Sequence, residues 1–161
     1  MNDEPQKMRT VMLAAPSHDG KISVWHAAAL AETCKIGLAN NINVMPLYMS
    51  FDSLVQRARN DLVKVAVETE VDDIVFVDCD QDWNPADFFR MLEHDVEIVG
   101  APVIKKSDAE QYNVKMEVDS VIQDNGLMSV ISVGTGFMRI SKSALGQIWE
   151  SCSEYKEPNK E

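Results

Sequence analysis

The order of its segments predicts a single α/β domain, with a mostly parallel central sheet, helices on both faces and a small antiparallel section near the C-terminus. Three observations carry this. Four apolar runs alternate with three helix-forming stretches over residues 10–104. One run, Ile74-Val75-Phe76-Val77, passes straight into Asp78-Cys79-Asp80-Gln81-Asp82, so a buried, β-branched strand ends at an acidic edge. The length of 161 residues suffices for one compact domain rather than two of ordinary size.

Taken in order, the first strand covers 10–15 and is closed by the loop Pro16-Ser17-His18-Asp19-Gly20. Asp19-Gly20 favours a turn, and Ala, Leu, Glu and Lys then build a helix over 21–39. The second strand covers 43–49, where Pro46, with no N–H to pair, calls for a sheet edge or for a shorter strand on one side of it. Ser50, Asp52 and Ser53 offer N-caps for a helix reaching about residue 69. Leu54, Val55, Ala58, Leu62, Val65 and Ala66 share one face of that helix, and Arg59 falls inside the apolar arc. A guanidinium placed there needs an anion, either in a functional site or in a core ion pair. Arg57 lies on the outer face, four residues before Asp61, as a solvated helix pair would.

After the acidic strand, Asn84-Pro85 caps a short helix through Glu93. Residues 96–104 form a strand interrupted by Gly100 and Pro102. The rhythm then changes: 112–118 alternates, and Asp124-Asn125-Gly126 is a hairpin signal before a strand over 127–133. Gly134-Thr135-Gly136 leads to a last strand over 137–140, and Ser141 or Ser143 caps a last helix to about residue 152. Residues 1–9 are expected to be a flexible start, 10–152 the domain and 153–161 a polar tail.

Composition narrows the function. With 45% hydrophobic and 25% charged residues the chain is that of a soluble globular protein. Its apolar runs fall far short of a membrane span, and its polar start has no secretory core, so a cytoplasmic protein is expected. Cys34, Cys79 and Cys152 are widely spaced, which suggests neither a disulfide framework nor a zinc knuckle. A formal charge of −11 disfavours direct nucleic-acid binding, since Lys105-Lys106 is the one adjacent basic pair and also reads as a solvated loop pair.

The acidic edge is the chemistry-bearing stretch. Side chains alternate along a strand, so Asp78 and Asp80 project to one side, joined by Asp82 if the chain stays extended, while Cys79 turns away. Like charges this close call for a hard divalent cation between them, which makes Asp78 and Asp80 candidate metal ligands and the metal a handle for phosphate. The same residues also read as a turn, where Asp is common. His18, His26 and His94 have no metal-ligand spacing, and His26 reads as structural.

Several segments together resemble the nucleotide-diphospho-sugar transferase superfamily, the GT-A glycosyltransferases, and within it the small family-2-like members of bacteria and phages. They are Ala15–Gly20, Ser53-Leu54-Val55-Gln56-Arg57-Ala58-Arg59-Asn60, Ile74 to Asp80, Val99 to Lys106 and Gly134-Thr135-Gly136-Phe137-Met138, in family order. The resemblance implies a Rossmann-like GT-A fold and a metal-dependent glycosyltransferase, or its donor-binding domain. Such a protein moves a sugar from a nucleoside-diphosphate sugar to an acceptor hydroxyl on a glycan, a protein or a modified base. It assigns a Mn2+ or Mg2+ ion to Asp80, with Asp78 on the ribose or sharing the metal. Pro16, Ser17, His18 and Asp19 would line the nucleoside pocket, Arg59 would sit near the diphosphate, and Asn60 follows it in the motif. Gly134, Thr135 and Gly136 would face the donor sugar or acceptor, although the two glycines also read as a bulge.

One departure from the family pattern matters. Family members continue past the G-T-G-F segment to an acidic acceptor-side base, whereas Glu150, Glu154, Glu157 and Glu161 lie in a helix end or the tail, so the chain reads as a truncated or minimal domain. Asp82 is the remaining candidate base. Two other classes stay open: a non-catalytic nucleotide-sugar-binding module, and a haloacid dehalogenase-like phosphatase. The phosphatase motif normally lies on the first strand, not the third.

Overall fold

A computed structural model describes residues 7–104 and 111–153. The elements follow as β1 (Arg9–Ser17), α1 (Val24–Ala39), β2 (Ile42–Ser50), α2 (Val55–Glu68), β3 (Asp73–Val77), α3 (Pro85–Glu93), β4 (Ile98–Gly100), β5 (Val114–Met116), β6 (Val130–Val133), β7 (Phe137–Ser141) and α4 (Lys142–Ser151). Five strands form the main sheet in the order β2-β1-β3-β7-β4, and β5 pairs with β6 in a separate hairpin. β1 is parallel to β2 and to β3, while β7 runs antiparallel to both β3 and β4. Four of the five strands therefore point the same way, and the last strand of the chain is inserted against them.

Alternation along the strands divides the core. Val11, Leu13, Val44, Val75 and Val77 pack with Phe88, Met91 and Leu92 of α3 and, at the margin, Leu30 and Cys34 of α1. Met12, Ala14, Ile74 and Phe76 face the other way, onto Leu62 and Ala66 of α2 and Leu145 of α4. Helices thus cover both faces, and β3, buried throughout, is the spine. Pro46 lies on the edge strand β2, opposite Leu13. Edge strands are where proline is tolerated, and there it blunts a long uncharged edge.

Helix ends show where local chemistry prevails. Asn84 caps α3 by accepting from Ala86 N–H at 2.9 Å, with Pro85 in the first turn, and Ser141 caps α4 by accepting from Ala144 N–H at 3.2 Å. α1 begins at Val24, three residues beyond the expected start, because Asp19 takes the Lys21 N–H and Ser17 Oγ donates to Lys21 O, prolonging the turn until Ser23 caps. None of the expected residues caps α2. Asp52 instead accepts from Leu54 N–H at 2.8 Å and binds Arg57 at 2.6 and 2.8 Å, so Arg57 is held by Asp52 from before the helix and not as the expected pair with Asp61. Leu54 and Val55, expected on the buried face, are exposed. β4 stops at Gly100, and Ile104 beyond it makes a single bridge to Tyr112. The hairpin turns at Gly126, whose φ of 80° suits glycine.

At the amino end of β3, Asp73 is buried between two guanidinium groups. Arg9 Nε and Arg139 Nε each donate to it at 2.7 Å. Arg9 also reaches Leu92 O, and Arg139 reaches His94 O and Val96 O. One carboxylate thereby ties β1, β3 and β7 to the end of α3 and the approach to β4. Lys105 and Lys106 and the tail from 154, including Glu154, Glu157 and Glu161, lie outside the described residues.

Candidate functional site

The carboxyl ends of β1, β2 and β3 meet at one edge of the sheet, the place where open α/β sheets bind ligands. There Pro16, Ser17, His18, Asp52, Ser53, Val55, Asp78, Cys79 and Asp80 line an open cleft of ≈ 300 Å³. Parallel pairing brings the first two strand ends together, since Pro16 is opposite Met49 and Ser17 opposite Ser50. His18 Nδ1 lies 3.3 Å from Asp52 O, which fastens the loop after β1 to the loop after β2. Phe51 between them has a φ of 63°, costly for an aromatic residue, and it is exposed beside Gly20.

The acidic segment does not stay extended. β3 ends at Val77, and Gln81 N–H donates to Asp78 O at 3.0 Å, closing a turn over 78–81. Side-chain alternation therefore lapses after Val77. Cys79, expected to turn away, lines the cleft with both acids, and Asp82, exposed, is absent from the lining. The segment is thus a turn, and one that still brings Asp78 and Asp80 to a common cleft.

Arg59, placed by the α2 periodicity, reaches this turn: its Nη2 donates to Asp78 Oδ1 at 2.7 Å. Its Nε–H is buried without a partner among the described residues. A buried unmade donor costs about 1–3 kcal/mol, so the site holds an unspent hydrogen bond beside the acid. Asp78 Oδ2 faces Gly136, where an added Cβ would lie 3.0 Å from it, and Asp78 N–H donates to Gly136 O. Gly136 is therefore glycine so that β7 can pass close to the acid. At Gly134 the corresponding space is filled by Asn113, whose Nδ2 would lie 1.9 Å from a Cβ, so this glycine seats the segment leading into β5. Thr135 between them is half-buried.

Of the remaining expected residues, Asn60 is exposed on α2. Asp19 is outside the cleft lining and folds onto Lys21, whose hydrogen bonds hold its carboxyl below the usual range. His26 is buried and structural, as its isolation in the sequence suggests. Its contacts, however, are with the acidic turn: Nδ1 lies 3.2 Å from Asp78 O and 3.0 Å from Gln81 O, and Nε2 lies 2.9 Å from Tyr48 Oη. Asp52 was foreseen only as a cap, and Tyr48 was not foreseen at all. The signal for Asp52 is its place two residues before Leu54 N–H, an Asx-turn spacing.

The fold is similar to that of A197 from STIV. That crystal structure matches with a TM-score of 0.55 and 18% sequence identity, over 94% of this chain and 70% of that one. At this identity the likeness concerns the fold. No protein-family model matches the chain, and no curated protein matches it.

The residues at the turn suit a divalent cation. Asp78 and Asp80 are hard oxygen donors on one cleft, and Asp78 keeps Oδ2 clear of its pair with Arg59. Among the described residues no three His, Cys, Asp or Glu side chains converge. A cation that keeps several waters and binds through one or two carboxylates plus substrate phosphate needs no third. No helix among the described residues is long and apolar enough to cross a membrane.

Proposed function

We propose that the chain has a GT-A-like fold and is a metal-dependent glycosyltransferase, or the donor-binding domain of one, acting on a nucleoside-diphosphate sugar. The observation that carries this reading is the meeting of two groups of residues from distant parts of the chain on one cleft. Pro16, Ser17 and His18 come from the end of β1, and Asp78 and Asp80 from the turn after β3. Arg59 beneath the turn supports it, because its buried Nε–H is a donor in want of an oxygen acceptor. Asp80, with Asp78, would hold Mn2+ or Mg2+; a bound ion supplies positive charge to a leaving diphosphate oxygen. Ser17 and His18 would face the nucleoside, and Asp52 would stay committed to Arg57 and Leu54 N–H.

One observation favours the second reading, a nucleotide-sugar-binding module without turnover. Two of the carboxylates that line the cleft, Asp52 and Asp78, are engaged by arginines. Asp82, exposed outside the lining, is poorly placed as an acceptor-side base.

Calorimetric titration with uridine diphosphate and guanosine diphosphate, each with and without manganese, tests the donor site. Metal-dependent binding that disappears in Asp80→Ala is expected, and binding retained in that variant removes the metal assignment. Manganese-dependent hydrolysis of a nucleoside-diphosphate sugar without acceptor then separates an enzyme from a binding module.

A further inference from the structure

The turn that carries Asp78 and Asp80 is gripped by its backbone carbonyls. Ser23 N–H donates to Cys79 O at 3.0 Å, and His26 Nδ1 faces both Asp78 O and Gln81 O, the two ends of the turn. Carbonyl oxygens only accept, so Nδ1 must carry the hydrogen. On the opposite side of the ring Nε2 meets the Tyr48 hydroxyl at 2.9 Å, a group able to donate to it. Neutral His26 is thereby fixed in its Nδ1–H tautomer by the two carbonyls, and Tyr48 on β2 can donate to the bare Nε2. Trp83 lies edge-on to the imidazole, with centroids 4.9 Å apart, and its Nε1–H is anchored on Thr33 Oγ1. A swap of the ring's proton would set a nitrogen lone pair against two carbonyl oxygens.

We propose that His26, with its tautomer set by the two turn carbonyls and its ring held from β2 by Tyr48, is a positioning residue: its Nδ1–H clamps the two ends of the acidic turn and so fixes the aim of Asp78 and Asp80 at a divalent cation. The proposal rests on the donor-site reading above and deepens it, because it makes a buried group that touches no ligand a determinant of metal and nucleotide affinity. The clamp joins two strands and a helix into one device. β2 sets the ring through Tyr48, α1 carries it, and the turn after β3 receives it.

Asn and Gln at position 26 separate the clamp from packing. An Asn amide N–H stands where Nδ1 stands, whereas the Gln amide reaches toward Nε2, and both lose the ring against Trp83. Manganese binding is titrated calorimetrically, alone and with uridine or guanosine diphosphate, on the full chain and on His26→Asn, His26→Gln and Tyr48→Phe. Imidazole 15N spectra of the metal-free chain read the tautomer. The expected result is an Nδ1–H signal for His26, with manganese affinity roughly 10- to 100-fold lower in His26→Gln and nearly retained in His26→Asn, the range found when residues behind metal ligands are altered. Tyr48→Phe, which removes a single oxygen and serves where His26→Gln fails to fold, is expected to weaken binding as well. An Nε2–H tautomer in the wild-type chain, equal losses in the Asn and Gln variants, or wild-type affinity in both His26→Gln and Tyr48→Phe would overturn the clamp and leave the donor site standing. A wild-type chain that takes up neither manganese nor either nucleotide would remove the donor site, and the proposal with it, whatever the tautomer.

Discussion

Two single residues packed against the acidic turn can be tested by substitution. Gly136 has no φ in the left-handed region, so its requirement is space alone, with a Cβ meeting Asp78 Oδ2 at 3.0 Å and Gln81 Oε1 at 3.4 Å. Gly136→Ala must push the carboxylate toward Arg59 or into the cleft. Overpacking of this kind costs about 1–3 kcal/mol, and manganese affinity should fall along with stability. A variant with lowered stability and unchanged manganese titration would show that the turn absorbs the methyl elsewhere. His26 gives a pH dependence. Burial holds its pKa below the ordinary 6.5, against the upward pull of the Gln81 and Asp78 carbonyls and the Asp80 charge. A depressed folded-state value means that the unfolded chain binds the proton more tightly. The contribution of His26 is therefore whole above pH 6.5 and is lost as the pH falls below it. In urea unfolding of the metal-free protein, the stability gap between the wild type and His26→Asn should be wider at pH 7.5 than at pH 5.5; a gap that does not change would contradict the shift.

Elements whose ends are set by neighbours in sequence were legible, and those set by distant partners were not. α3 and α4 start where Asn84 and Ser141 say they should, because cap and capped N–H lie two or three residues apart. The start of α2 was misread because Asp52, an excellent cap by type, is bound to Arg57 and to Leu54 N–H. The direction of Cys79 was misread because a turn closed by Gln81 N–H ends the strand's alternation at Val77. The insertion of β7 between β3 and β4 leaves no local trace, and neither does the pairing of Asp73 with Arg9 and Arg139, which lie 64 and 66 residues away. That buried cluster gives the element-scale prediction. Asp73→Asn leaves two guanidinium groups short of their anion, Arg139 among them at 6% exposure. Breaking a buried pair by removing one partner costs about 3–5 kcal/mol. A large drop in the urea midpoint is expected, with the manganese affinity of the surviving folded fraction unchanged, since Asp73 begins β3 and the acidic turn follows its end. An unfolding free energy within about 1 kcal/mol of wild type would place the cluster with ordinary exposed ion pairs.

At the scale of the whole molecule, a formal charge of −11 acts on both proposed ligands with opposite sign. A divalent cation is drawn to the chain and a diphosphate is repelled by it, so the cation has to come first or come with the nucleotide. Salt separates the two contributions. Screening shortens the reach of the field to about 8 Å at physiological ionic strength. Manganese alone should therefore bind more weakly as potassium chloride is raised, while any residual affinity for metal-free uridine or guanosine diphosphate should rise, since the repulsion is what is being screened. A protein reading the diphosphate through a basic patch would show the reverse for the nucleotide, with affinity falling as salt is added. The neutralised complex of metal and diphosphate should depend on salt least of the three. Calorimetric titrations at two salt concentrations give these slopes directly. A nucleotide affinity that falls with salt in the absence of metal would mean that local positive charge, Arg59 above all, outweighs the field of the chain, and that the carboxylates at the end of β3 are not what brings the phosphate in.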